Sequence, residues 1–230
     1  MFLFSLLAVS DQATEIVKYV SIGAVLLLLG VIALLCKKTQ YDTKRIAFAG
    51  ICVALSFTLA VIKVKPIQYG GSITLASLVP ILIYAYAYGV KDGIIVGIIH
   101  GLLNFIESPY ILTPATFVLD YLLPFAGVGV MGLFRKWHDK HNSATPILLG
   151  CVSACAIRFI CHLLSGVIFF LHGDVWVSFP DWAVSNAFIY SFIYQCVYIP
   201  ADCIIACGVL YALYKTGVFQ QIGKILTPKK

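Results

Sequence analysis

The sequence predicts an all-α integral membrane protein, a bundle of apolar helices with little chain outside the bilayer. Hydrophobic residues make up 61% of its 230 residues and charged residues only 11%, whereas soluble domains carry roughly a quarter charged residues. A helix needs about 20 apolar residues to cross the bilayer. Apolar runs of this size fill almost the whole chain, so the protein is expected to act within the membrane or at its surface.

Seven apolar runs are separated by charged or turn-forming segments. They cover residues 16–35, 46–62, 73–88, 93–106, 113–134, 146–171 and 183–214. The last run is long enough to tilt or kink, and Pro200 is the expected position of a kink because proline lacks an amide hydrogen. We therefore predict seven membrane spans.

The basic residues predict the orientation of these spans. Most of the Lys and Arg residues lie in the C-terminal tail and in loops on one side of the predicted bundle. The loops on the other side hold only Lys63 and Lys65, with Lys18 near the N-terminus. The basic-rich loops and tail should be cytoplasmic, which places the N-terminus outside and the C-terminus inside. Because the net charge of +6 is spread over such orienting segments, we expect no nucleic-acid partner. The residues on the predicted cytoplasmic side are Lys37, Lys38, Lys44, Arg45, Lys91, Arg135, Lys136, Lys140, Lys215, Lys224, Lys229 and Lys230.

Eight cysteines lie in or beside the apolar runs, without any C-x-x-C pair. Cys151 and Cys155 are four residues apart, as are Cys203 and Cys207, a spacing on a helix that could suit a metal ion. Cysteine also serves as a small apolar packing residue. We expect that packing role here, with no metal site and no disulfide framework.

Polar residues inside the spans are the candidates for function, since such groups are costly in a bilayer. Asp120 lies in the fifth span, and Arg158 and His162 share one face of the sixth. Gln195 and Asp202 mark a face of the last span. Tyrosines recur there every fourth residue, at Tyr190, Tyr194 and Tyr198.

These polar residues support two interpretations. In one, an ion pair between Asp120 and Arg158 only fixes the packing of two helices. In the other, a carboxylate surrounded by His162 and several tyrosines binds a flat cationic ligand, because aromatic faces attract cations. His100 and Asn104 form a further polar pair on the fourth span, which we assign first to hydrogen bonding between helices.

Several catalytic signatures are missing from the sequence. It contains no GxxxxGK[ST] nucleotide loop, no HExxH and no GxSxG motif. We therefore predict no enzymatic activity, and energy for uphill transport would come from a partner or an ion gradient.

Three polar segments together resemble the thiamine-specific S-component, the substrate-binding membrane subunit of energy-coupling factor (ECF) transporters. They are DYLLPFAGVGVMGLF from Asp120, RFICHLLSG from Arg158 and YSFIYQ from Tyr190. The order and spacing of Ser72–Leu75, Val79–Pro80 and Tyr110–Ile111 match as well. The resemblance covers approximately residues 41–225.

The resemblance implies a six-helix substrate-binding domain at residues 41–230 and one extra transmembrane helix within residues 1–40. It also implies a bacterial cell-membrane protein that binds thiamine from outside as transported ligand, without a cofactor, and docks on a transmembrane coupling protein with two ATPases. Arg158 would pair with the acidic residue Asp120, and a small-residue face would dock on the coupling protein, at Ala47, Gly50 and Ala54. The implied substrate-binding residues are Tyr110, Asp120, Tyr121, Arg158, His162, Phe170, Tyr190 and Gln195.

Three other functions stay open on the sequence. The chain could be an S-component for another vitamin or a pyrimidine precursor. It could be a proton-coupled small-solute transporter that uses Asp120, His162 and Asp202. An intramembrane enzyme is disfavoured, because no nucleophile–base pair or metal set is evident.

Overall fold

The computed structural model describes residue 30 and residues 42–66, 71–171 and 182–226. Apart from Gly30, the predicted first span and the extra N-terminal helix lie outside the described residues. The regular secondary structure of the described residues is helical apart from one pair of short strands. Its helices are α1 (Thr43–Val61), α2 (Val79–Tyr88), α3 (Val90–Glu107), α4 (Pro114–Phe117), α5 (Leu123–Ala126), α6 (Arg135–His141), α7 (Thr145–Leu171), α8 (Ala187–Lys215) and α9 (Val218–Leu226), and its strands are β1 (Lys63–Pro66) and β2 (Ser72–Thr74).

Four helices in the described chain are long and apolar enough to cross a membrane. They are α1, the continuous stretch Pro114–His141, α7 and α8, and α2 is a shorter apolar helix. Each predicted span after the first overlaps at least one of the described helices. The prediction of an all-α membrane protein is confirmed, whereas the count of seven spans stays a prediction.

The third predicted span begins differently from the sequence-based expectation. Residues 72–74 form strand β2, which pairs antiparallel with β1 in the register Lys63↔Thr74. Helix α2 begins only at Val79, with Pro80 in its first turn. The periodicity of a short apolar run does not show whether the run forms a strand or a helix. Residues 72–74 form a strand because they pair with β1.

Helix α2 lies at the centre of the bundle. Its residues Ile81, Leu82, Ala85 and Tyr86 are completely buried, so it is apolar on all sides, as expected of a helix surrounded by others. Gly89, at a φ of 93°, joins it directly to α3. A left-handed backbone of this kind favours glycine, and it lets α3 turn back against α2.

The stretch Pro114–His141 is one predicted span but not one regular helix. A π-helical segment, Val118–Leu122, follows α4, and a 3₁₀ segment, Gly127–Leu133, follows α5. Within the π-helical segment's last turn, the Leu123 amide donates to the Val118 carbonyl, five residues back. Pro124 has no amide hydrogen for the Asp120 carbonyl, so the ordinary α-helical pattern is interrupted beside Asp120.

The end of the bundle opposite the strands is fastened by charged and aromatic contacts. Arg45 on α1 is ion-paired with the buried Asp92 of α3. Phe219 on α9 packs edge-on against Tyr86, with ring centroids 4.9 Å apart. These contacts fix α1 and α9 to the central helices α2 and α3.

Candidate functional site

A polar cavity of about 120 Å³ lies between the strands, the C-terminal end of α3, the π-helical segment, α7 and α8. Its walls combine the carboxylates of Glu107 and Asp120, from two helical segments, with many aromatic and hydroxyl side chains. The lining residues are Ala60, Lys63, Gly71, Ser72, Thr74, Ser77, Asn104, Glu107, Ser108, Tyr110, Asp120, Tyr121, Phe125, Arg158, His162, Gly166, Phe169, Tyr190, Ser191, Tyr194, Gln195 and Tyr198.

Asp120 is held in the cavity wall by two side chains from α7. His162 Nδ1 lies 2.9 Å from Asp120 Oδ1, and Ser165 Oγ donates to Asp120 Oδ2 at 2.6 Å. An ionised carboxylate only accepts hydrogen bonds, so Nδ1 of His162 carries the proton. His162 Nε2 is buried and has no hydrogen-bond partner among the described residues, which leaves it available to a ligand in the cavity.

Two glycines of α3 allow the π-helical segment to reach this position. A Cβ at Gly101 would overlap the Tyr121 carbonyl, and a Cβ at Gly97 would overlap the Phe125 carbonyl. The backbone of the interrupted helix therefore packs directly on α3. π-Helical turns are frequent at functional sites, and this one contains Asp120 and Tyr121.

The structure corrects the predicted pairing of Arg158. Arg158 Nη1 donates to Asp202 Oδ2 on α8 at 2.8 Å, and it does not pair with Asp120. Asp202 Oδ1 also accepts a hydrogen bond from the Thr74 amide at 2.8 Å. Both charged side chains are buried, with 8% and 4% of Arg158 and Asp202 exposed. Antiparallel packing of α7 on α8 brings Asp202 to Arg158, a proximity that sequence spacing within single helices does not report.

The remaining charged residues at the cavity were not predicted as site residues. Lys63 Nζ lies 2.9 Å from Glu107 Oε1, joining strand β1 to the end of α3. Once this pair and Arg158–Asp202 are formed, Asp120 is the one charged side chain of the described lining that has no Lys or Arg partner. The cavity therefore presents an anionic group to a ligand.

The polar residues of α8 form a connected wall. Gln195 Nε2 donates to the His162 carbonyl at 3.1 Å, and Tyr198 Oη donates to Gln195 Oε1 at 2.7 Å. Tyr194 Oη accepts a hydrogen bond from the Gly71 amide at 3.1 Å, which ties α8 to the strands. The predicted residues Tyr190 and Gln195 both line the cavity, and Tyr194 and Tyr198 join them.

Tyr110 and Tyr121, two of the predicted substrate-binding residues, also line the cavity. Tyr121 Oη donates to the Ser108 carbonyl at 2.6 Å and accepts from the Tyr110 amide at 3.0 Å. The Tyr110 ring is stacked on Phe169, with centroids 5.0 Å apart and planes 13° apart. This stacked pair forms an aromatic surface facing the ligand space.

Phe169, which sequence reasoning missed, lines the cavity, whereas the predicted Phe170 is absent from the described lining. Successive residues on a helix point about 100° apart, so only one of the two rings faces the cavity directly. Phe170 instead packs against Tyr190, with ring centroids 5.4 Å apart. A direct role for Phe170 in binding stays a prediction.

The pair His100 and Asn104 also differs from the expectation of a bond between helices. Asn104 Nδ2 lies 2.8 Å from His100 Nε2 on the same helix, α3. Asn104 lines the cavity and His100 is completely buried behind it. His100 therefore orients Asn104 toward the cavity.

The fold and the cavity together define a helical membrane protein with a buried, polar and aromatic binding site. Comparison with known proteins identifies the group. A family model described as "Thiamine transporter protein" matches residues 46–220, and the chain belongs to that family. The family predicted from the sequence is thereby confirmed.

Two relatives agree with this assignment. Thiamine transporter ThiT of Bacillus subtilis (strain 168) is 30% identical to the chain over 156 residues, which is 64% of this chain and 77% of the relative. The solved structure of ThiT from Listeria monocytogenes matches with a TM-score of 0.63 and 20% identity, covering 76% of this chain and 94% of that protein. At this identity the structural match bears on the fold alone.

Proposed function

We propose that the protein is the thiamine-binding S-component of an ECF-type vitamin uptake transporter. The observation that carries this proposal is the carboxylate of Asp120, which lies in an aromatic cavity and has no Lys or Arg partner among the described residues. Thiamine joins a flat aminopyrimidine, which offers an amine donor, to a positively charged thiazolium. A carboxylate accepts from the amine, and nearby aromatic faces stabilise the cation.

The contacts around Asp120 support an aminopyrimidine orientation. Because Ser165 and His162 each occupy one oxygen of Asp120, the carboxylate is fixed before the ligand arrives, and each oxygen retains further acceptor capacity. His162 Nε2 offers an additional acceptor for the same ring system. Preorganisation of this kind reduces the entropy cost of binding.

Aromatic pairs on two sides of the cavity support binding of the thiazolium. Tyr110 stacked on Phe169 forms one side, and Tyr190 backed by Phe170 forms the other. A cation held over aromatic faces gains about 0.5–2 kcal/mol, with the larger values in desolvated sites. Burial of the cavity between helices favours the upper part of that range.

Coupling to an ATP-driven module is the second part of the proposal. Ala47, Gly50 and Ala54 form an exposed strip on α1, and a Cβ at Gly50 would meet no atom within 4 Å. Small residues in a membrane helix permit close approach of a partner helix. We assign this strip to the transmembrane coupling protein, which acts with two ATPases, in a bacterial cell membrane with the N-terminus outside and the C-terminus cytoplasmic.

Isothermal titration calorimetry of the purified protein tests the ligand. Thiamine should bind saturably at one site per chain, whereas the free aminopyrimidine and thiazole halves should each bind far more weakly. Saturable binding of a pyrimidine without any heat from thiamine would reject thiamine and leave an S-component for another ligand.

Reconstitution in liposomes tests the coupling. Thiamine uptake should require the coupling protein, the ATPases and ATP. Uptake by this protein alone, driven by a pH gradient, would instead establish the proton-coupled transporter.

A further inference from the structure

Four of the protein's cysteines meet at one level between helices α7 and α8. We call Cys151, Cys155, Cys203 and Cys207 the four-cysteine cluster. Cys151 is fully buried and Cys155 is 4% exposed, while Cys203 and Cys207 are partly exposed. All four are free thiols. Because α7 packs against α8 and each helix has two cysteines four residues apart, the two sulfurs of α7 face the two sulfurs of α8.

The sulfur atoms are close enough to share one ion. The Sγ atoms of Cys151, Cys203 and Cys207 lie within 4.8 Å of one another, and the Cys155 thiol interacts with those of Cys151 and Cys203. In a tetrahedral zinc site with bonds of about 2.3 Å, sulfurs are about 3.8 Å apart. An inward movement of about 1 Å or less would therefore complete a metal-binding geometry.

We propose that Cys151, Cys203 and Cys207 bind one thiophilic divalent metal ion of the Zn²⁺ and Cd²⁺ type, with Cys155 positioned as the fourth ligand. Thiolates are the preferred ligands of such ions, and closed all-cysteine sites are structural. The ion would be held by both α7 and α8, so it would clamp these two helices together.

The charge of the surroundings is compatible with this role. Three thiolates and a divalent cation carry one net negative charge, and a fourth thiolate from Cys155 would make it two. Arg158 lies one turn along α7 from Cys155. The Arg158 guanidinium acts electrostatically on Cys155. The partner of Arg158, Asp202, directly precedes Cys203. The metal site thus adjoins the ion pair that closes one side of the polar cavity.

Packing alone accounts less well for this arrangement. Cysteines that serve only as small apolar packing residues are not expected to cluster. Exposed Cys196 and buried Cys52, for example, lie outside the four-cysteine cluster. The sequence-based expectation of packing cysteines without a metal site stays a prediction, and the proposed metal site is the alternative to it.

Titration of the reduced, full-length protein in detergent with Cd²⁺ tests the proposal. Binding of one ion per chain should produce the ultraviolet absorption of cadmium–thiolate bonds, with the same stoichiometry by elemental mass spectrometry after desalting. Bound Cd²⁺ should also protect the cluster, but not Cys196, from alkylation by maleimide, as read by peptide mass spectrometry.

Serine variants identify the ligands. Cys203→Ser and Cys151→Ser should each weaken Cd²⁺ binding by at least about tenfold, since loss of a ligand exceeds the effect of losing a supporting residue. Cys207→Ser, at a more exposed position, provides a second test if Cys151→Ser does not fold. Cys196→Ser on the same helix α8 is the matched control and should bind Cd²⁺ like the native protein. Size-exclusion chromatography establishes that each variant is folded.

The same measurements distinguish a clamp from adventitious binding. Cd²⁺ should raise the unfolding temperature of the native protein and of Cys196→Ser, and leave that of Cys203→Ser unchanged. The proposal is overturned if the reduced protein binds no stoichiometric Cd²⁺, or if folded Cys203→Ser and Cys207→Ser bind it as tightly as the native protein. None of these readouts depends on thiamine, so failure here leaves the proposed transport function intact.

Discussion

Arg158 of α7 and Asp202 of α8 form a buried ion pair, with Nη1 2.8 Å from Oδ2. This pair links the two longest helices and, through the Thr74 amide, the strands beside the cavity. Its main consequence concerns a third residue. Because Arg158 is neutralised by Asp202, the Asp120 carboxylate keeps its capacity to bind a cationic ligand.

Breaking this ion pair should destabilise the protein. Asp202→Asn leaves the Arg158 guanidinium buried without its counter-charge, a change that typically costs about 3–5 kcal/mol. Thermal unfolding in detergent should show a correspondingly lower transition. The double variant Arg158→Met with Asp202→Leu should regain part of the loss, because no unpaired charge remains. An unchanged transition in Asp202→Asn would mean that the pair does not stabilise the fold.

Removing the charge of Asp120 should weaken thiamine binding. Asp120→Asn keeps the shape of the side chain but loses charge-assisted hydrogen bonds worth about 1.5–3 kcal/mol, so the dissociation constant should rise roughly 10- to 100-fold. Calorimetry provides the measurement. Asp139→Asn, on the exposed end of the same membrane span, is the control and should bind thiamine normally. Equal affinities of both variants and the native protein would remove Asp120 from the binding site.

The neighbouring residues Phe169 and Phe170 should differ in their effect on binding. Phe169→Leu removes an aromatic ring from the cavity wall and should weaken thiamine binding by about 0.5–1.5 kcal/mol. Phe170→Leu should have a smaller effect, because its ring supports Tyr190 from behind. Calorimetric titration of both variants with thiamine measures the two effects. A larger loss of affinity in Phe170→Leu would support Phe170 as the substrate-binding residue, as the sequence resemblance implies.

Gly166 should tolerate no side chain. A Cβ there would overlap the Ser191 hydroxyl and lie 3.3 Å from Gln195 Nε2, so Gly166→Ala should separate α7 from α8 and reduce thiamine affinity. Adding Ser191→Ala should recover part of the affinity by removing the clashing oxygen. Gly208→Ala, where the added methyl meets nothing within 4 Å, is the control. Normal binding by Gly166→Ala would show that the two helices adjust without cost.

The strip on α1 should matter for uptake and not for binding. Gly50→Leu fills open space on the surface, so thiamine titration of the isolated protein should be unchanged. With the coupling protein and ATPases in liposomes, uptake should be lost because the partner helix can no longer approach closely. Gly208→Leu is an equally exposed substitution on α8 and should leave uptake intact. Full uptake by Gly50→Leu would place the docking surface elsewhere.

The individual candidates for the site followed from the sequence because polar residues inside apolar spans are costly. Asp120, His162, Tyr190 and Gln195 were identified in this way, and all four line the cavity. Resemblance added Tyr110 and Tyr121, which the apolar pattern alone does not mark. Lys63 and Glu107 gave no such signal, since charges at the ends of spans are ordinary.

The sequence by itself determined that this is an apolar helical membrane protein, because composition and run length decide burial in the bilayer. Its motifs also determined the family. Tertiary structure alone decided which residues meet: Arg158 with Asp202, Asp120 with His162, and Cys151 with Cys203. Such partners lie on different helices, and their proximity depends on how the helices rotate and pack against one another. That rotation also turned Phe169, and not Phe170, toward the cavity.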